Sequence, residues 1–193
     1  MILQRLRDAT RPDHERLEDH IDLLGRPWSM PFYRSLLSKF YGLYASIEPP
    51  TFSHAEWEKM GIDTASRLKL PSLVRDLHFL GLSDADIAAL PLFNEAPKAD
   101  TFASALGCAY VMEGSTLGGQ IISRHLKQEL GLELGPDNGL SFFASYGSEV
   151  GPKWREFTGV LDFYQGSEAE QTELIESAVK AFQAFDRWLA DIL

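Results

Sequence analysis

The sequence is poor in cysteine and in positive charge, and both deficits narrow the possible functions. Cys108 is the only cysteine among 193 residues, so the chain can form no internal disulfide and no cysteine-based zinc site. Lys and Arg number 18 against 28 Asp and Glu, which gives a formal net charge of −10. Nucleic acids and anionic membranes select basic surfaces, so this charge disfavours both as main partners. The lone cysteine fits a reducing compartment, and we expect a cytoplasmic protein.

The sequence also lacks a long run of apolar residues. Residues 102–122 come nearest to a membrane span, but Glu113, Ser115, Thr116 and Gln120 lie in the second half of that segment. A carboxylate in the middle of a bilayer is energetically expensive. Residues 1–8 carry charges where a signal peptide needs an apolar core. We therefore predict no membrane association and interpret residues 102–122 as part of a buried amphipathic helix.

No alternating strand pattern appears, and nearly every segment shows the 3.6-residue periodicity of a helix. The sequence predicts an all-α, single-domain fold over residues 1–193, with about eight helices around one core. The first predicted helix covers residues 2–24, with a kink or restart at Pro12. The second covers residues 31–48, with a cap at Ser29 and a stop at Pro49-Pro50. Shorter predicted helices follow at 53–60, 63–68, 72–80 and 83–90. The others are a long helix from an Asp100 cap to about residue 130, then 140–145, 152–164, and a final helix beginning with the capping-box pair Ser167 and Glu170.

Three glycines interrupt the long predicted helix. Each interior glycine costs a helix roughly 1 kcal/mol relative to alanine, so Gly114, Gly118 and Gly119 together cost about 3 kcal/mol. Gly114 and Gly118 are four residues apart and share one face, which therefore carries no side chain there. Such a bare face lets either a large flat ligand or another helix approach the backbone closely.

A histidine near the N terminus has neighbours suited to metal binding. Glu18 follows His14 by four residues on the same helical face and can accept a hydrogen bond from the ring nitrogen that does not bind metal. Arg7 lies two turns earlier, about 10 Å away, where it could pair with an acidic group of a molecule bound by His14. The alternative is an ordinary exposed ion pair between His14 and Glu18.

Together, these two segments resemble the haem oxygenase family. Residues 6–14 with Glu18 are similar to the proximal helix, in which the histidine binds the haem iron and the acidic residue orients it. Residues 114–120, Gly-Ser-Thr-Leu-Gly-Gly-Gln, are similar to the distal helix, whose glycines let the backbone lie over the haem. The sequence is most similar to bacterial members, including those that supply bilin to phytochromes.

The resemblance implies oxidative opening of haem at a meso carbon, giving biliverdin, carbon monoxide and ferrous iron. Haem is then both substrate and cofactor, an external ferredoxin or reductase is the electron donor, and a bilin-binding phytochrome is a candidate product acceptor. Two other hypotheses stay open at this point. One is a haem storage or carrier protein without turnover, and the other is a thiaminase-like hydrolase that would use Cys108.

The resemblance also implies roles for particular residues. His14 is the proximal iron ligand and Glu18 its orienting partner, while the distal helix lies over the haem at Gly114, Ser115, Thr116, Gly118 and Gly119. Candidate partners of the haem propionates are Arg7, Tyr110, Lys153 and Arg155, although Tyr110 could instead fill a gap and the two later cations could be solvated.

One position departs from the mammalian-type pattern. Ser115 stands where those members have an aspartate that orders the waters delivering protons. The hydroxyl of Ser115 or Thr116, or backbone carbonyls of a bent helix, could hold such water instead. Glu113 points about 100° around the helix from the adjacent Gly114 and is interpreted as structural.

Overall fold

Every regular element is helical within residues 1–133 and 138–192, the part of the chain that the computed structural model describes. The prediction of an all-α fold is therefore confirmed. The helices are α1 (Ile2–Ile21), α2 (Met30–Phe52), α3 (Glu56–Lys59), α4 (Leu70–Phe79), α5 (Asp84–Ala88), α6 (Phe102–Leu130), α7 (Ser141–Ala144), α8 (Val150–Phe163) and α9 (Glu168–Leu189). Short 3₁₀ turns occur at Ala65–Arg67, Gly147–Glu149 and Ala190–Ile192.

Helix α6 is the central element of the core. Its first half, from Ala103 to Glu113, is buried without interruption, and it packs against α9, α2, α7 and α8. A β-carbon on Gly107 would collide with the carbonyl of Leu174, so this glycine permits the close approach of α6 and α9. Across the described residues, no helix combines the length and the apolar character needed to cross a membrane.

The predicted helix caps are right at two positions and wrong at one. The Ser29 hydroxyl accepts the Phe32 N–H at 3.3 Å, and Ser167 forms a capping box with Glu170. Helix α6 is capped by Thr101 rather than by Asp100, because the Thr101 hydroxyl accepts the Ser104 N–H at 3.1 Å.

The predicted stop at Pro49-Pro50 is wrong, since α2 continues to Phe52. Two hydrogen bonds hold this last turn, one within α2 and one from Trp57 of α3. Thr51 is fully buried and its hydroxyl donates to the Ile47 carbonyl at 2.7 Å, while its own carbonyl accepts the Trp57 indole N–H at 2.8 Å. Pro12 likewise lies inside a continuous α1 and marks no restart. Proline therefore ends the helix at neither place.

Helix α1 ends at Ile21, three residues before the predicted end. Asp22 adopts a left-handed conformation (φ 41°) and its N–H bonds to the Glu18 carbonyl at 2.9 Å, which closes the helix. Leu24 is consequently outside α1 and is 51% exposed, not on the buried side of a helix. The helix predicted over 63–68 is only the 3₁₀ turn Ala65–Arg67, and the other predicted helices are present with shifted ends.

Candidate active site

A cavity of approximately 890 Å³ separates α1 from the second half of α6. Its volume lies in the range of small-molecule sites. Aromatic side chains of α7 and α9 line it between these two helices, namely Phe142, Phe143, Phe182 and Phe185. The cavity therefore has two opposed helical walls and an apolar interior.

The imidazole of His14 projects into this cavity from α1. Its side chain is 50% exposed, and Nδ1 lies 3.4 Å from Oε2 of Glu18. The ring meets the Phe182 ring edge-on, with 5.4 Å between centroids. Within residues 1–133 and 138–192, Nε2 has no hydrogen-bond partner, so its lone pair is available to a ligand. Arg7, Leu17 and Glu18 line the same wall.

The opposite wall is the face of α6 that carries no side chains. Nothing lies within 4 Å of the position that a β-carbon on Gly118 would take, and at Gly114 only the Trp154 ring comes near, at 3.7 Å. Gly119 serves a different purpose, because its β-carbon would lie 2.7 Å from the Phe143 carbonyl oxygen. Gly119 borders the cavity, but its missing side chain lets α7 approach α6. The structure therefore shows a close helix contact at Gly119, while the face at Gly114 and Gly118 is open to the cavity.

Three large apolar side chains surround the cavity while remaining exposed to solvent. Leu24 is 51%, Leu117 is 42% and Ile121 is 56% exposed, and all three line the cavity. Exposed apolar side chains gathered at one cleft are typical of a binding site for an apolar ligand.

The two hydroxyls predicted to hold water are engaged with the backbone of α6. Ser115 Oγ donates to the Met112 carbonyl at 2.8 Å, and Thr116 Oγ1 donates to the Glu113 carbonyl at 2.6 Å. Thr116 is buried, whereas Ser115 is exposed to the cavity, and its Oγ lies 3.4 Å from the Tyr44 hydroxyl. Burial raises the pKa of Tyr44, so this phenol stays protonated.

The four candidate propionate partners separate into two pairs. Arg7 and Tyr110 line the cavity, and burial raises the pKa of Tyr110 although the Thr10 hydroxyl and the Arg7 charge oppose that rise. Lys153 and Arg155 are not among the cavity-lining residues. The Lys153 ammonium instead donates to Ser66 Oγ at 2.8 Å.

A buried polar cluster beside the cavity is absent from the sequence-based expectations. Arg67 forms ion pairs with Glu113 and, at 2.7 Å, with Glu156. The Tyr146 hydroxyl donates to Glu113 Oε1 at 2.7 Å. These contacts confirm that Glu113 is structural. The fifth member, Lys69, lines the cavity. Its position between Leu68 and Leu70 was the sequence signal that could have revealed a buried lysine.

The environment of Cys108 does not suit a nucleophile. The thiol is buried, its sulfur lies 3.3 Å from the Ser177 hydroxyl, and burial raises its pKa. A reactive cysteine needs a lowered pKa and an accessible sulfur. The structure thus offers no support for a cysteine-dependent hydrolase.

Comparison with known proteins agrees with the all-α fold. The haem oxygenase family profile matches residues 1–191. A haem oxygenase from Xanthomonas campestris pv. campestris (strain 8004) is 31% identical over 160 residues, which are 82% of this chain and 88% of that protein. The chain belongs to the haem oxygenase family, and it is a haem-degrading enzyme of that type.

Solved structures of bacterial haem oxygenases share the fold. The enzyme from Leptospira interrogans superposes with a TM-score of 0.80 at 17% identity, covering 98% of both chains. The NO- and CO-bound enzyme from Neisseria meningitidis gives a TM-score of 0.79 at 20% identity, covering 100% of this chain and 92% of that one. Haem oxygenase-1 from Synechocystis sp. PCC6803, solved in complex with haem, gives 0.75 at 15% identity, covering 98% and 91%.

Proposed function

We propose that this protein binds haem in the cavity between α1 and α6, with His14 as the iron ligand, and opens it at a meso carbon. The observation that carries the proposal is the placement of a half-exposed imidazole opposite the bare Gly114–Gly118 face of α6 across one cavity. The residues present fit a large flat macrocycle, because the space over Gly118 is open and the surrounding side chains are mostly apolar. When bound, haem supplies both the iron that activates oxygen and the ring that is cleaved to biliverdin, carbon monoxide and ferrous iron.

Glu18 acts on His14 through Nδ1. A carboxylate at 3.4 Å from Nδ1 favours the tautomer with the proton on that nitrogen, which leaves the Nε2 lone pair to face the cavity. It also holds the ring plane in place. The Phe182 ring supports the same orientation from α9.

The α6 wall determines how a bound macrocycle lies. With no side chain at Gly118 and only the Trp154 ring near Gly114, the helix backbone itself forms the surface over the ring plane. Leu24, Leu117 and Ile121 would lose solvent exposure if a ligand filled the cavity. Burial of such apolar surface excludes water and contributes roughly 25 cal/mol per Å² to binding.

The acidic groups of haem need cationic or hydrogen-bonding partners at the cavity margin. Arg7 and the Tyr110 hydroxyl line this cavity and can provide them. We do not propose Lys153 or Arg155 as propionate partners, because neither residue lines the cavity and the Lys153 ammonium bonds to Ser66.

The remaining predictions concern partners, domain organisation and location. Haem oxygenases use an external reductase, and we propose a donor of the ferredoxin or reductase type here. A phytochrome as product acceptor, a single domain over residues 1–193 and a cytoplasmic location stay predictions.

Spectroscopy with haemin tests the proposal. The wild-type protein should give a Soret band, and His14→Ala should remove or greatly weaken the iron coordination, because no other imidazole of the described residues lines the cavity. His20→Ala is the matched control on the same helix, since its Nδ1 lies 2.7 Å from Asp186 and its ring is outside the cavity. An unchanged spectrum in His14→Ala would contradict the ligand assignment.

Turnover separates an enzyme from a carrier. With oxygen and a chemical reductant, the Soret band should fade while biliverdin absorption rises, and chromatography of the extracted pigment should identify the product. A haem spectrum that persists through repeated reduction would refute haem cleavage and favour storage or transport.

A further inference from the structure

The Lys69 side chain is buried at the cavity without a hydrogen-bond partner. Lys69 is only 4% exposed, and its ammonium makes no hydrogen bond within residues 1–133 and 138–192. Its backbone is firmly placed, because Glu48 accepts the N–H groups of Lys69 at 2.5 Å and of Leu70 at 3.2 Å. The ammonium lies over the Tyr146 ring, 3.3 Å from the centroid. The backbone of Lys69 is therefore held in place, while the N–H groups of its ammonium donate no hydrogen bond to the described residues.

The surroundings place this ammonium on the α6 side of the cavity. The hydroxyl of Tyr146, whose ring lies under the ammonium, donates to Glu113, the residue directly before Gly114. Lys69 lines the cavity together with Ser115 and Tyr44, whose hydroxyls are 3.4 Å apart. Lys69 therefore belongs to the wall opposite His14.

The charged neighbours of Lys69 are committed to other partners. Glu113 is paired with Arg67 and Tyr146, and Glu48 accepts backbone N–H groups. Both carboxylates attract the ammonium, while Arg67 and Lys153 repel it, and burial outweighs these effects and lowers the pKa of Lys69 to about 8. Burial also raises the pKa of Tyr44 and Tyr146, so neither phenol supplies a compensating charge. A buried ammonium without its own carboxylate is unfavourable for folding.

We propose that the Lys69 ammonium is the hydrogen-bond donor that holds a small acceptor, water or a small anion, at the α6 side of the cavity beside Ser115 and Tyr44. This inference rests on the proposed function, because it places that acceptor next to bound haem. Ser115 cannot fill the role alone, since its hydroxyl proton is directed to the Met112 carbonyl. Lys69 provides up to three donors in the same cavity as Ser115, the residue at the position where the mammalian-type pattern has a carboxylate.

Azide binding to the ferric haem complex tests the proposal without relying on turnover. In Lys69→Met, the azide dissociation constant at pH 6.5 should rise about tenfold, because the variant keeps the side-chain length but loses the charge and donors. The ratio between variant and wild type should shrink as the pH passes about 8, where the wild-type amine becomes neutral. Lys153→Met is the matched control, because it removes a nearby cation that is bonded to Ser66 and does not line the cavity; its azide affinity should stay within about twofold of wild type.

Unfolding of the apoprotein distinguishes a functional lysine from a structural one. Lys69→Met should unfold at a higher urea concentration than wild type at pH 7, since it removes an unsatisfied buried charge. Lower stability in this variant, or an azide affinity equal to that of wild type, would overturn the proposal. Absence of a Soret band in the wild-type protein would contradict the proposed haem binding. A normal Soret band, with the same azide affinity in Lys69→Met as in wild type, would contradict only the role proposed for Lys69.

Discussion

Substituting Gly118 by leucine should raise the stability of the apoprotein while weakening haem binding. Gly118 lies within α6, and nothing surrounds the position of an added β-carbon within 4 Å. Leucine exceeds glycine in helix propensity by about 0.8 kcal/mol, and no packing penalty opposes this gain in the apoprotein. For a chain of this size, the melting temperature should rise by roughly 2–3 °C.

The same side chain would occupy the space required by the macrocycle. Four added carbon atoms over the bare face must displace the ring from the α6 backbone, so we expect haem affinity to fall at least about tenfold, or about 1.4 kcal/mol. Urea or thermal unfolding of the apoprotein measures the first effect, and haemin titration at the Soret band measures the second.

Gly119→Ala is the informative comparison for Gly118→Leu. Its added methyl group would lie 2.7 Å from the Phe143 carbonyl oxygen, so it should destabilise the apoprotein by about 1–3 kcal/mol. The reasoning is refuted if Gly118→Leu lowers apoprotein stability, which would mean that this face is packed, or if it leaves haem affinity within twofold of wild type.

Two further predictions concern the buried cluster. Glu113→Gln should lower the free energy of unfolding by about 3 kcal/mol because it breaks a fully buried ion pair with Arg67. Glu156→Gln breaks the other ion pair of Arg67, in which the Glu156 side chain is half-exposed, and should lower it by less than about 1 kcal/mol. Equal losses of stability in urea unfolding would contradict this expectation. Lys69 has a folded-state pKa of about 8 against 10.5 for the free side chain, so the unfolded chain binds more protons between those values. Wild-type stability relative to Lys69→Met should therefore rise with pH across that window, by up to roughly 3 kcal/mol, and a constant difference would argue against a buried ammonium.

Short-range spacing explains what the sequence could predict. The four-residue intervals from His14 to Glu18 and from Gly114 to Gly118 fix their relative directions on a helix, and the structure brings both pairs to one cavity. The Ser167 capping box is equally local. Each of these features lies within two turns of one helix, where geometry follows from sequence alone.

The features that escaped prediction depend on contacts between distant segments. Arg67 and Glu113 are 46 positions apart, so neither residue reveals the other as its partner. The same holds for the Lys69 ammonium over the Tyr146 ring. Lys153 is the opposite case. The resemblance made it a candidate propionate partner, but its ammonium bonds to Ser66, a contact between distant segments that the sequence does not reveal.

The short helix α7 ties the α6 wall to the rest of the core. Phe143 presents its carbonyl to Gly119, Gln120 donates to the Ala144 carbonyl at 2.6 Å, and Asp76 of α4 accepts the Ser141 and Phe142 N–H groups at 2.9 and 2.8 Å. These contacts connect α4, α6 and α7 to one another through α7. Any movement of this wall relative to α4 or α7 would have to break these hydrogen bonds, whereas residues 22–24 on the other side of the cavity lie outside every helix.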